Sequence, residues 1–83
     1  MNTVTQNEVR AILEQSEFEW QFCFGKTLIG VCKLPNGFVL VESSSCVDPA
    51  NYSEAIGKAI IMTRFENKVW ELEGYVLQKK VSE

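Results

Sequence analysis

The sequence predicts an α+β fold in the order N-terminal helix, three-stranded antiparallel meander, long C-terminal helix (αβββα), and three patterns predict it. A capping box opens a short helix near the N-terminus, a strict two-residue alternation follows, and two turn signals divide the next stretch before a long helical run. The length of 83 residues predicts one domain over 1–83, near the lower limit of chains that fold unaided.

The first helix is placed at 6–15. Thr5 stands three residues before Glu8, the spacing at which each side chain can satisfy a free backbone N–H at a helix start. Val4 and Val9 occupy the positions of a hydrophobic staple, and Val9, Ile12 and Leu13 form a short apolar stripe. The period then switches to two. Phe18, Trp20, Phe22 and Phe24 share one face of a strand; Glu17, Glu19, Gln21 and Cys23 share the other. Gly25-Lys26 is read as a two-residue turn with glycine first, as type II′ requires. Thr27–Leu34 is the second strand, Pro35-Asn36-Gly37 a second turn, and Phe38 to about Ser43 the third strand.

Ser43-Ser44-Ser45-Cys46 then leads to Asp48-Pro49, a cap followed by proline at the first helical position. Ser53 is the alternative cap if 49–52 form a separate turn. The second helix runs to about Gln78, with Lys79 and Lys80 near the negative end of its dipole. At about 100° per residue it carries two apolar faces. Ile56, Ile60, Thr63, Trp70, Gly74 and Leu77 form one. Met62, Phe65, Val69, Leu72 and Val76 form the other, with 3-4 spacing. One face can cover the meander, but the first helix offers only three stripe residues to the second. A homo-oligomer packed through Met62, Phe65, Val69, Leu72 and Val76 is therefore expected. A hydrophobic content of 46% points the same way, since it exceeds what so short a chain needs for its own core. No internal repeat, linker or low-complexity tract interrupts the chain.

Several classes of function are disfavoured. Eight basic residues scattered among eleven acidic ones give a net charge of −3, not the basic face of a DNA- or RNA-binding protein. The N-terminal MNTVTQNEVR has no apolar core after a basic stretch, so no signal peptide is expected, and no apolar run nears the roughly 18 residues of a membrane span. Cys23, Cys32 and Cys46 lack C-x-x-C spacing and have no histidine to join them, so no metal or other cofactor is expected and the thiols read as reduced. Without histidine there is no Ser-His-Asp or Cys-His nucleophile system, and no S-x-x-K, G-x-G-x-x-G or Walker motif occurs. Glu17/Glu19 and Glu71/Glu73 are the paired carboxylates available for acid–base chemistry. They read as the solvated sides of a strand and a helix, and no catalytic residue is assigned.

The serine-rich segment carries the candidate binding chemistry. Hydroxyls of Ser43, Ser44 and Ser45 and free N–H groups at a helix start can hold an anion. Arg64 can add a charge-assisted contact and Phe38 can stack on a base. The plainer reading is a solvated loop, a surface arginine and a core phenylalanine.

The pieces P-N-G-F, S-S-x-C-V-D-P-A-N-Y and N-K-V-W-E-L-E-G-Y resemble the small phage-protein family known from the podophages N-four and Sf-six, the gp-forty-nine and gene-sixty-six type. The resemblance covers residues 28–78, with looser similarity back to Val4. It implies a phage gene product acting in the cytoplasm of a bacterial host. The family is in turn similar to phage anti-defence proteins that counter Thoeris, oligomeric sponges that sequester cyclic ADP-ribose isomers or cyclic oligonucleotides without degrading them. That likeness implies a pocket between subunits in which Phe38 stacks on adenine, Arg64 pairs with a pyrophosphate and Asp48 accepts from a ribose or base, with Ser43, Ser44, Ser45 and Asn51 alongside. The leading expectation is a non-enzymatic cyclic-nucleotide sponge. The alternative is a protein that blocks or redirects a host protein through exposed apolar surface.

Overall fold

The computed structural model describes residues 3–82 and has the expected element order. Helix α1, Gln6–Glu14, begins where the capping box places it: the Thr5 hydroxyl accepts the Glu8 N–H at 3.2 Å. It ends one residue earlier than expected, and the Ser16 hydroxyl donates to the Ile12 carbonyl at 2.7 Å. Strands β1 (Glu17–Cys23), β2 (Thr27–Lys33) and β3 (Val39–Ser45) form an antiparallel sheet in that order, with Trp20 opposite Gly30 and Val31 opposite Val41.

Both turns differ in detail from the sequence reading. The first is centred on Phe24-Gly25 rather than Gly25-Lys26, because Cys23 pairs with Thr27 and the Lys26 N–H returns to the Cys23 carbonyl at 3.3 Å. Both central residues have positive φ, 55° at Phe24 and 68° at Gly25. That is the type I′ pattern, whose twist matches the flanking strands. It holds a bulky side chain in the left-handed region, and Phe24 points into solvent, 93% exposed. At the second turn the Phe38 N–H donates to the Asn36 side-chain oxygen at 3.0 Å and Gly37 takes φ 95°. Phe38 thus belongs to the turn, and β3 starts at Val39. The strand also runs two residues further than expected, through the serines. Ser44 and Ser45 pair with Leu28 and Thr27, and the Ser45 and Thr27 hydroxyls lie 2.8 Å apart.

A 3₁₀ turn, Pro49–Asn51, is capped by Asp48, whose carboxylate accepts the Ala50 N–H at 3.0 Å. Helix α2, Glu54–Ser82, follows with Ser53 as its cap, the alternative allowed by the sequence. It extends four residues past Gln78. At about 1.5 Å per residue it is roughly 44 Å long, against about 20 Å for the strands, so it overhangs the sheet and gives the molecule its 52 Å long axis.

Strand alternation puts Phe18, Trp20, Leu28, Gly30, Cys32 and Leu40 on the inner sheet face, where α2 crosses β2 and β3. The core is completed by Val9 and Leu13 of α1 and Ile61, Phe65 and Val69 of α2. This corrects the assignment of Met62, Phe65, Val69, Leu72 and Val76 to an oligomer interface. Phe65 and Val69 are 0% and 1% exposed, Met62 and Leu72 pack against the same core, and Val76 alone is substantially open. The sequence argument asked α1 alone to cover this face, whereas the sheet supplies most of the cover. The opposite face is the more open one: Ile56, Ile60 and Trp70 are exposed, while Gly74 and Leu77 are half-buried beside Thr3 and Val4.

Gly30 sets how closely the layers approach. A Cβ there would lie 2.8 Å from the Trp20 ring and 2.9 Å from the Ile61 side chain. Gly30→Ala should therefore cost about 1–3 kcal/mol in urea unfolding, since ring and helix must both shift. Phe24→Asn should stabilise the hairpin by about 0.5–1 kcal/mol, because asparagine accepts the left-handed conformation that phenylalanine resists. An unchanged or lower unfolding midpoint would mean that the exposed ring makes a compensating contact.

Candidate functional site

The register that pairs Thr27 with Ser45 brings the β1–β2 hairpin tip beside the end of β3, and the 3₁₀ turn folds back over both. A cleft of about 110 Å³ forms where these meet the start of α2. Ser44, Ser45 and Asn51, three of the expected binding residues, line it. Lys26, Tyr52 and Ser53 line it as well, and its apolar wall is Ile56 and Ile60. The Cys46 thiol closes one side, directed at the carbonyls of Asp48 (3.2 Å) and Lys26 (3.6 Å).

The other expected residues lie elsewhere. Phe38 sits at the far end of β3, seven residues from Ser45 and so about 24 Å away along the strand. Asp48 spends its carboxylate on the 3₁₀ turn. Ser43 lies on the outer sheet face, one residue out of phase with Ser44. Its carbonyl faces away from β2, since the ladder bonds recur at Leu34–Phe38 and Lys26–Cys46 and skip alternate residues. Arg64 donates its guanidinium to that carbonyl and so covers part of the free edge of β3. Within one chain, therefore, Phe38, Asp48 and Arg64 do not converge into a pocket.

Lys26 and Tyr52 were not singled out from the sequence. Lys26 becomes visible only through the pairing register, which no local pattern discloses. Tyr52 is half-buried against Phe22, ring centroids 4.5 Å apart. Burial, and next the Glu54 carboxylate, push its phenol above the usual value despite an opposing pull from Lys58. Its hydroxyl is thus a neutral donor at pH 7. Glu54 is paired with Lys58 at 3.2 Å, which moderates the negative charge at the helix start.

A comparison with protein-family models matches residues 4–81 to the Phage protein (N4 Gp49/phage Sf6 gene 66) family. The chain belongs to that family. No curated protein and no solved structure matches it. Among the described residues of this phage protein, no helix is long and apolar enough to cross a membrane, and no three cysteine, aspartate or glutamate side chains gather as a metal-binding group.

The three thiols differ in accessibility. Cys32 is buried, Cys23 and Cys46 half-buried. Burial pushes the Cys32 thiol above its ordinary value of 9.0, against a smaller opposing pull from a hydrogen bond with Ser16. In native protein at pH 8, iodoacetamide should modify Cys23 and Cys46 first and reach Cys32 only in denaturant, as peptide mapping would show. The stability held by the neutral Cys32 thiol is complete below pH 9.0 and is lost as pH rises through the higher folded-state value.

Proposed function

We propose that this phage protein works by binding rather than by catalysis, and that its ligand is a phosphate-bearing nucleotide signal engaged at the cleft beside α2. The observation that carries the reading is the meeting of Lys26 with the polar groups of Ser44, Ser45, Asn51 and Ser53 next to the Tyr52 ring. A cation, hydroxyls and an amide are the donors an anionic oxygen requires, and an aromatic edge suits a sugar or base. The family's resemblance to cyclic-nucleotide sponges supports the same ligand class.

The size of the cleft limits what one chain can do. At about 110 Å³ it is well under the roughly 300 Å³ at which pockets begin to bury a drug-sized ligand. It seats one phosphate with its immediate neighbours, and the rest of a cyclic nucleotide must be covered by a second copy or remain in water. The pocket implied by resemblance changes accordingly: Lys26, not Phe38 or Asp48, is the residue expected to matter within one chain.

The test is depletion. Purified protein is incubated with cyclic ADP-ribose isomers and cyclic di- and trinucleotides, filtered, and then heated. Wild type should remove one of them and release it intact. Lys26→Glu should weaken capture about tenfold or more, the scale of a lost charge-assisted hydrogen bond, while Phe38→Ala binds like wild type. Undiminished capture by Lys26→Glu would remove the cleft from consideration.

A second reading rests on a different surface. Val39 and Val41, both at least half exposed, adjoin Ile29 and Val31 on the outer sheet face. Among the described residues no element covers that face, which suits docking on a host protein. Failure to deplete any nucleotide would favour it.

A further inference from the structure

Beside the first turn of α2 lies a groove of about 390 Å³ lined by Trp20, Phe22, Leu28, Tyr52 and Glu54. It is separate from the cleft, with which it shares only Tyr52. Strand β1 sets Trp20 and Phe22 two residues apart on the inner sheet face, while α2 runs chiefly over β2 and β3. Both rings are therefore left partly open: Trp20 is half-buried and Phe22 is 52% exposed. Leu28 forms the buried floor, and the Tyr52 ring packs on Phe22 with centroids 4.5 Å apart. Unlike the cleft, this groove exceeds the roughly 300 Å³ at which pockets begin to enclose a ligand.

Three aromatic rings and one carboxylate are a lining that attracts positive charge, because ring faces carry negative potential and Glu54 a formal charge. The positive end of α2 opposes this with only about half a charge, and a phosphate would meet Glu54 directly. The molecule already places a cation here. The Lys58 ammonium stands over the Trp20 ring, 5.1 Å from its centroid, and pairs with the Glu54 carboxylate at 3.2 Å. Its hold is weak. Both charged side chains are substantially exposed, one helical turn apart, and such pairs contribute little to stability. Lys58 can swing into water at small cost.

We propose that this groove receives an arginine side chain of a partner protein, which takes the place of Lys58. A guanidinium is planar, stacks on aromatic faces, binds a carboxylate through two parallel N–H bonds and sheds its water more readily than an ammonium. Lys58 does neither the stacking nor the two-point bonding. The three methylenes of the arginine stem lie along Phe22 and Tyr52, so the groove is filled by apolar contact as well as charge. Phe24, two residues beyond Phe22 in the chain, is 93% exposed and gives the segment that carries the arginine an apolar surface to cover. The net charge of −3 favours approach of a basic partner. This surface depends neither on the cleft nor on a nucleotide.

The probes are three capped tripeptides, Gly-Arg-Gly and its lysine and citrulline counterparts, titrated into protein carrying Trp70→Phe so that Trp20 alone reports by fluorescence. The arginine peptide should give a saturable change with a Kd on the order of 1 mM, the lysine peptide should bind several-fold more weakly, and the uncharged citrulline peptide should give none. Glu54→Gln should weaken the arginine peptide about tenfold, and Lys58→Ala should tighten it about threefold by emptying the site. Both substitutions are at solvent-accessible positions, and unchanged helical circular dichroism confirms the fold. Absence of a saturable change with the arginine peptide, equal binding of the citrulline peptide, or indifference to Glu54→Gln would overturn the proposal. So would weaker binding by Lys58→Ala, since Lys58 would then be part of the site rather than its occupant.

Discussion

The close approach of α2 to the middle of β2 is the constraint on which the rest of the structure depends. Gly30 leaves space that Trp20 fills from the neighbouring strand and Ile61 fills from the helix, so sheet and helix are fixed against each other at one point. Phe65, one turn further along, is fully buried and meets the Phe18 ring at a centroid distance of 6.0 Å. From these contacts follow the direction of α2 across the sheet, the face it buries and the face it leaves exposed. The cleft is a by-product: it lies where α2, held at Gly30, starts beside the end of β3.

Much of this fold is legible in the sequence, and what is not has physical causes. The Thr5–Glu8 box, the alternation from Glu17 and the Asn36-Gly37 turn are local signals in which side-chain chemistry and backbone geometry coincide. Ser43–Ser45 read as a loop because serine competes with the backbone for hydrogen bonds, yet pairing with Thr27 and Leu28 carries the strand through them. The two faces of α2 are both apolar, so periodicity alone could not say which one the sheet takes. That choice depends on Gly30 and Trp20, residues some thirty and forty positions away. The candidate site suffers from the same limitation: Ser44, Ser45 and Asn51 are neighbours in sequence and were found, whereas Lys26 arrives through strand register and was not.

Membership of the phage family and the geometry of the chain bear on different questions. The family places the protein among phage gene products. The geometry supplies a small cleft in which polar groups meet an apolar wall, a sheet face that no element among the described residues covers, and a helix with a second apolar stripe. At about 110 Å³ the cleft is smaller than the pockets that enclose a whole small-molecule ligand.

The Arg64 contact with the Ser43 carbonyl makes the two margins of the sheet unequal. Along β3 a strand seeking to add itself would first have to displace a guanidinium that already occupies an outward-facing acceptor. Along β1, among the described residues, no side chain holds an outward-facing acceptor in this way, and Glu17, paired with Lys33, and Glu19 stand off the outer face. Lateral growth of the sheet therefore has a polarity, with β1 the less guarded margin for an added strand.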